Sequence, residues 1–435
     1  MAVLNRLGRS VDVVLAQPEV VQQRLRAAIV GAAETAFEPT PVELFAVEQR
    51  AVGTVRVPET TDLIVRTSGS TGHPKRVLLS ASALLASARA TAERLGTGQW
   101  LLALPVNYIA GVQVLVRSLL ADTEPVLCRP MHFTAEAFVH AAAGMNAHRR
   151  YTALVPVQLG KLLDDTEASR LLASFQAVLV GGQRLSPRLA QQAADAGVNV
   201  VTTYGGTETA GGCAYDGVPL PGVEVRVVDE SIRVAGPTLA EGYLRADHQS
   251  RSRFFAEDGR RWFRTGDRGR LENGVLTVIG REDQLIMTGG MKLDLEEVEQ
   301  ALHELPGLST AVVAPFADEK WGTRFAGYAD GSLRQHRLPL EAINAHLHQC
   351  LGRHATAAAF TYIDFGLPRL PNGKVDRRSL SRTAAALAAT TAQASPTTMG
   401  AAGASLPDFR PDFGAERELG ARPDLDIQPG QGSER

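Results

Sequence analysis

Residues Thr67 to Ser80 read TSGSTGHPKRVLLS. Two glycines and several hydroxyl side chains precede a lysine, the composition of a backbone cradle for an anion. Glycine lets N–H groups converge on a phosphate, Ser68, Ser70 and Thr71 add hydroxyl donors, and Lys75 adds a point charge. The common nucleotide loop has four residues between its glycines and a lysine directly after the second. Here only two residues separate Gly69 from Gly72 and Lys75 is the third residue after Gly72, so the loop is a different device. Apolar TDLIVR, Thr61 to Arg66, leads into it as a buried strand, and Ser80 caps a helix through about Leu95. Taken alone, the Ser/Thr/Gly cluster reads equally as a polar surface turn before a helix.

Outward from the loop, short apolar runs alternate with helical spans. Trp100 to Leu104, TALVP, AVLVGG and VNVVTTYGG are strand candidates; Gly111 to Leu120 and Thr134 to Ala143 are helix candidates. This alternation predicts an α/β sheet covered by helices, with ligands beyond the strand ends. Near residue 220 the pattern turns to short strands, Val223 to Val228, Ser231 to Val234, Trp262 to Asp267 and Gly274 to Ile279. After a polar break at Gly280 to Gln284, Asp294 with Glu297 three residues on predicts a capped helix, its apolar face Leu295, Val298, Leu302 and Leu305. Thr310 to Ala314, Arg324 to Tyr328, Leu340 to Leu351 and Ala358 to Ile363 complete a small α+β domain. The expected division is a large N-terminal domain over 1–280 with a β-rich part at about 220–280, a small domain over 284–380, and a disordered tail over 381–435.

The 435-residue chain has a formal net charge of -2, which supplies no bulk attraction for nucleic acid or an anionic membrane. Cys128, Cys213 and Cys350 are too scattered for a disulfide framework or a metal motif, as in a reducing compartment. Neither a signal segment nor a run of about 18 apolar residues is evident. The expectation is a cytoplasmic protein without stable membrane association.

Four further motifs accompany the loop. They are Tyr204-Gly205-Gly206-Thr207-Glu208, Phe263-Arg264-Thr265-Gly266-Asp267, Gly280-Arg281-Glu282-Asp283 and Pro371-Asn372-Gly373-Lys374-Val375-Asp376-Arg377. With the loop, and in this order, they resemble the signatures of the acyl-adenylate-forming (AMP-binding) superfamily. The resemblance spans Thr67 to Arg377. It implies a large multi-subdomain α/β N-terminal domain with a small mobile α+β C-terminal domain, and two half-reactions. A carboxylate attacks the α-phosphate of ATP and releases pyrophosphate; a thiol then attacks the acyl-adenylate.

The resemblance assigns roles residue by residue. Thr67, Ser68, Gly69, Ser70, Thr71, Gly72 and Lys75 grip the β- and γ-phosphates, Thr207 the α-phosphate, and Glu208 ligates Mg2+. Asp267 accepts the ribose hydroxyls, Arg281 contacts the ribose or phosphates, Gly181 and Gly182 face adenine, and Tyr204 is an aromatic wall beside Gly205. Lys374 is the adenylation lysine and Asp283 the hinge. Gly289 and Gly290 admit a pantetheine arm, and Lys292 serves the phosphates of CoA. Outside this context Thr207, Glu208 and Asp267 read as turn residues, and Lys374 as an exposed lysine.

LALPVNYIAGVQVLVRSLL and YTALVPVQLGKLL look like segments of the superfamily's o-succinylbenzoate-CoA ligase branch. That branch tends to carry histidine where this chain has Asn107 and Tyr108, which either line the acid pocket or begin a helix. Arg117 is a candidate distant counter-charge, and His73 stands where relatives often have lysine. The expected activity is formation of o-succinylbenzoyl-CoA from ATP, the acid and CoA, and the resemblance to the ligase branch implies a homodimer. The rivals are a ligase for another aryl or medium-chain acid, an adenylation domain that loads a carrier protein, and a non-catalytic nucleotide-binding scaffold.

Overall fold

A computed structural model describes residues 9–10, 12–15, 19, 21–23, 25–26, 42–45, 56–58, 60–67, 75–128, 133–244, 252–331, 337–369 and 375–393. The chain divides after Ala386 into two units. The elements below lie in the first; of the second, only the helix end at Gln393 is described.

A seven-stranded sheet organises the large part. Its order is Val218–Pro219, Gly211–Tyr215, Val200–Gly206, Ala177–Gly181, Arg150–Leu154, Gln99–Leu102 and Val126–Leu127. The last five strands run parallel, while Gly211–Tyr215 is antiparallel to Val200–Gly206. A parallel sheet needs both faces covered, which is why its strands are near-continuous apolar runs. Side chains alternate between two cores. Trp100, Leu102 and Leu179 pack with Leu84 and Leu115 from helices Ala81–Leu95 and Ile109–Leu120. Leu101, Val178 and Val180 pack on the other face with Phe138, Leu159 and Leu172. The expected α/β architecture is therefore present, and Ser80 does cap its helix, accepting from the Ala83 N–H at 3.2 Å.

A second sheet runs Gly242–Leu244, Lys75–Leu79, Leu63–Thr67, Val42–Phe45 and Asp12–Leu15. Leu63–Thr67 and Lys75–Leu79 are antiparallel, with Thr67 opposite Lys75. The Ser/Gly/Thr stretch thus joins two strands, and the strand Lys75–Leu79 intervenes before the helix, an element the sequence reading did not separate from the loop. Val77, Leu78 and Leu79 are buried, which explains why KRVLL is extended despite its charged start.

A third, antiparallel sheet consists of Glu224–Val228, Ser231–Ala235, Phe254–Glu257, the long strand Arg260–Glu272, and Val275–Arg281. The following small part has strands Leu285–Thr288, Met291–Asp294, Val312–Asp318, Gly322–Asp330 and Phe360–Ile363, with helices Leu295–His303 and Leu340–Leu351. Leu295, Val298 and Leu302 enter its core with Val313, Phe325, Ile343 and Leu347, and Leu305 packs at the edge, as the periodicity predicts. Asp294 caps the first helix by accepting from the Glu296 N–H at 2.9 Å. Its other oxygen, Oδ2, lies 3.1 Å from Arg268 Nη2, tying the small part to the long strand.

One expectation is corrected. Order does not end at Ser381, because Arg377–Gln393 is a helix. Leu380 and Ala384, four residues apart on one face, are buried, and the Tyr328 hydroxyl donates to the Leu380 carbonyl at 3.0 Å. Alanine has the strongest helix propensity and needs little apolar contrast, so an Ala/Thr run hides a helix from a reading based on periodicity. Arg377 anchors the helix start through an ion pair to Glu299 and a 3.0 Å bond to the Val313 carbonyl. Residues 394–435 of the expected tail lie outside the described residues. Among the described residues no helix is long and apolar enough to cross a membrane.

Leu302→Ala should destabilise the small part by about 2–5 kcal/mol, the usual cost of such a core truncation. Hydrogen exchange checks this. Protection should fall in Val312–Asp318 and Gly322–Asp330 and persist in Ala177–Gly181; an equal loss in both would contradict separate cores.

Candidate active site

Parallel strands place their C-terminal ends along one edge of the sheet. That edge carries Asn107 and Tyr108 after Gln99–Leu102, Gly181 and Gly182 at the end of Ala177–Gly181, and Tyr204 to Glu208 at the end of Val200–Gly206. Two of these glycines are required by packing. A β-carbon on Gly181 would stand 2.1 Å from Thr203 Oγ1, and one on Gly205, where φ is +155°, 2.2 Å from the Gly211 carbonyl oxygen. The register shifts between Tyr204 and Gly205, turning the strand into the short 3-10 turn Thr207–Thr209.

Several bonds fix that turn. Thr209 Oγ1 accepts from the Gly206 N–H at 2.9 Å, and Gln113 Nε2 donates to the Ala210 carbonyl at 2.8 Å. The Glu208 carbonyl accepts from the Ala240 N–H at 2.8 Å. Thr207 is buried and Glu208 half-buried. Glu208 Oε1 accepts a 2.8 Å hydrogen bond from the Tyr243 hydroxyl, and Lys75 Nζ lies 5.3 Å from the centre of the Tyr243 ring. One tyrosine thus joins the acid of the second motif to the lysine that ends the first. Burial and the Glu208 charge raise the Tyr243 pKa, so it remains a neutral donor.

A second chain of contacts centres on Asp267. Tyr204 donates to Oδ2 at 2.7 Å, and Arg281 Nη1 donates to Oδ1 at 3.1 Å. Asp267 and Arg281 are register partners on adjacent strands, which sets this pairing. Arg281 Nε also donates to Asp283 Oδ1 at 2.9 Å. Burial raises the Asp267 pKa, opposed by the Arg281 charge and the Tyr204 hydrogen bond. Burial works against the Arg281 charge, but the Asp283 hydrogen bond and the two aspartates hold its pKa above the ordinary value. Tyr204 is raised by burial and by the Asp267 charge.

The structure therefore brings together Tyr204, Asp267, Arg281 and Asp283 in one chain of contacts, and Lys75 with Glu208 in another. Gly289 and Gly290 form the turn between Leu285–Thr288 and Met291–Asp294, and Lys292 lies on the second of these strands; no hydrogen bond or ion pair among the described residues joins them to either chain. Tyr108 begins helix Ile109–Leu120 through its backbone alone, so its phenol is not used in capping. It is half-buried, and burial raises its pKa against the hydrogen bond from Asn107. Thr67 ends its strand; Ser68, Gly69, Ser70, Thr71, Gly72, His73 and Lys374 lie outside the described residues.

Arg117 is corrected. It is buried in the core, where Nη2 donates to the Tyr215 hydroxyl at 3.1 Å and the guanidinium lies 4.9 Å from the Trp100 ring centre. A guanidinium enclosed by aromatic groups is no counter-charge for a bound acid. Sequence reasoning missed Tyr243 because Gly242–Leu244 has three residues, too few for periodicity; its only signal was an aromatic beside glycine.

The sequence profile described as AMP-binding enzyme matches residues 10–244. A protein of Mycobacterium tuberculosis named probable 2-succinylbenzoate–CoA ligase is 41% identical over 367 residues, covering 81% of this chain and 92% of that one. The 2-succinylbenzoate–CoA ligase of Escherichia coli is 33% identical over 271 residues, 59% of this chain and 56% of its own. Among solved structures, o-succinylbenzoate CoA synthetase of Bacillus subtilis, in complex with its acyl-adenylate intermediate, aligns with a TM-score of 0.67 at 22% identity, covering 86% of this chain and 88% of that one. This likeness supports the same fold, a large N-terminal domain with a smaller C-terminal subdomain.

The Tyr204 hydrogen bond favours the charged form of Asp267, so Tyr204→Phe should raise the Asp267 pKa further. Carboxyl carbon NMR titration of the two proteins reads this shift. An unchanged Asp267 titration would show that the hydrogen bond is not formed in solution.

Proposed function

The chain belongs to the AMP-binding enzyme family, and from that premise we propose that it is an ATP-dependent acid–CoA ligase that forms o-succinylbenzoyl-CoA through an acyl-adenylate. The observation that carries the adenylate chemistry is the pair of contact chains, Tyr204–Asp267–Arg281 and Lys75–Tyr243–Glu208. The choice of acid rests on the 41% identical relative and on the segments around Asn107 and Tyr108.

In the first half-reaction a carboxylate oxygen of the acid attacks the α-phosphorus of ATP, the bond to the β-phosphate oxygen breaks, and pyrophosphate leaves. An anion approaching a polyanion needs charge neutralisation at fixed geometry. Lys75 and the loop Ser68 to Gly72 would hold the β- and γ-phosphates and Thr207 the α-phosphate. Asp267 would accept from the ribose hydroxyls, and Arg281 would stay close enough to orient them. Gly181, Gly182 and Tyr204 would flank adenine. Glu208 suits Mg2+ because it offers hard carboxylate oxygens, of which Oε1 already has a positioning donor. When bound, that ion would neutralise phosphate charge. Lys374 would place its ammonium between the carboxylate and the α-phosphate. Asn107 and Tyr108 would line the acid pocket.

In the second half-reaction the CoA sulfur attacks the carbonyl carbon of the mixed anhydride and AMP leaves. The small domain, over 284–380, would turn about Asp283 between the two steps, bringing Gly289, Gly290 and Lys292 to the pantetheine arm and the CoA phosphates.

Pyrophosphate release measured over a panel of acids tests the assignment. Release with o-succinylbenzoate, followed by its CoA thioester, is expected. Activity with fatty acids alone would remove the proposed acid, and inactivity with every acid would favour a scaffold. Lys374→Ala should lower adenylation by on the order of 10²–10³-fold, the scale of losing one oriented charge or donor. Thiolation of supplied adenylate should survive; equal loss of both steps would count against this role.

A further inference from the structure

Away from the edge that carries the proposed active site, the small part holds a cluster of a different chemistry. His346 and Cys350 are four residues apart on helix Leu340–Leu351, so they share a face. Glu304 is the C-terminal cap of helix Leu295–His303. His346 Nε2 lies 3.6 Å from Cys350 Sγ and 3.5 Å from Glu304 Oε2, and the three donor atoms all lie within 4.8 Å of one another. We propose that Glu304, His346 and Cys350 form a site for a zinc-class divalent cation that links these two helices.

The spacing carries the argument. Zinc binds nitrogen at about 2.0–2.1 Å, sulfur at about 2.3 Å and carboxylate oxygen at about 2.0–2.2 Å in tetrahedral arrangement, which separates ligand atoms by about 3.4–3.6 Å. The nitrogen–sulfur and nitrogen–oxygen separations already have that size, and the ring turns Nε2 from the Ala301 carbonyl toward the cation. The Glu304 side chain is 67% exposed and free to bring its oxygen closer to the sulfur. A thiolate, an imidazole and a carboxylate form a mixed soft and hard set that suits zinc or cobalt and disfavours magnesium or calcium.

Charge acts in the same direction. Glu304 ends one helix, and Cys350 lies in the last turn of the other before its cap at Gly352. Both helices therefore present their negative ends here, where a cation is favoured. His346 Nε2 also lies 2.9 Å from the Ala301 carbonyl, the hydrogen bond it makes without metal. On binding, Nε2 gives up its proton and its bond to the Ala301 carbonyl, the neutral imidazole takes a proton from solvent on Nδ1, and the Cys350 thiol releases one proton to solvent, so one proton is released in all. Water fills the fourth position.

The test uses the full chain, untagged and stripped of metal by a chelator, titrated with Co2+. A one-to-one complex with thiolate-to-cobalt charge-transfer absorption is expected, displaced by Zn2+. Cys350→Ser should abolish that absorption, and His346→Ala should weaken binding at least as much as the roughly 10–100-fold cost of losing an outer-shell partner. Cys128→Ser should leave the spectrum unchanged. Cys350 is exposed, so its serine variant keeps its packing. No complex with the wild-type chain, or the same absorption in Cys350→Ser, overturns the site.

Discussion

The carboxylate of Asp267 is the constraint around which the candidate site is arranged. A half-enclosed charge persists in a folded protein only if donors replace the water it loses. Here they come from two sheets. Tyr204 reaches Oδ2 from the end of a parallel strand, and Arg281 reaches Oδ1 from the antiparallel strand Val275–Arg281. The two sheets are thereby held in one relation at the point where ligands collect in open α/β folds. Arg281 in turn is held by Asp283, so the order of the edge extends into the connection to the small part.

The second contact chain solves a different problem. Lys75 and Glu208 are separated by more than a hundred residues; Lys75 begins a strand of the second sheet and Glu208 lies in the turn after a strand of the seven-stranded sheet. Tyr243 joins them because its strand pairs with Lys75–Leu79, opposite Val77, while its hydroxyl reaches Glu208. Phenol and ring use separate faces: a donor at the tip for the carboxylate, a π surface for the ammonium. A like arrangement with phenylalanine would retain the ring and leave Glu208 Oε1 without this donor.

What could be read from the sequence follows the range of the interactions. Strands of the parallel sheet were legible because burial on both faces makes them apolar throughout, and helix Leu295–His303 because its face repeats and its cap is local. The family motifs were legible as residue patterns, and the structure joins Tyr204 and Arg281 through Asp267. Tyr243 and the true environment of Arg117 were not legible, since each depends on partners about a hundred residues or more from it or on another element: Glu208 and Lys75 for the first, Tyr215 and Trp100 for the second. The helix beyond Ser381 was hidden for the opposite reason. Its alanines form a helix from intrinsic preference, and among the residues whose burial is described Leu380 and Ala384 mark a packed face.

Gly289 and Gly290 show how a motif can be required twice. They connect two antiparallel strands through a two-residue turn in which both have positive φ, +56° and +79°. Such turns twist with the strands they join, and glycine adopts them without a side-chain penalty. The Gly289 position is also crowded, because a β-carbon there would stand 3.0 Å from the Trp321 ring. Glycine at these positions is therefore accounted for by the hairpin before any pantetheine arm is considered. Lys292 has no such structural demand: it is exposed on the strand that follows, opposite Met287. The turn accounts for the glycines, and the strand that follows presents Lys292 to solvent.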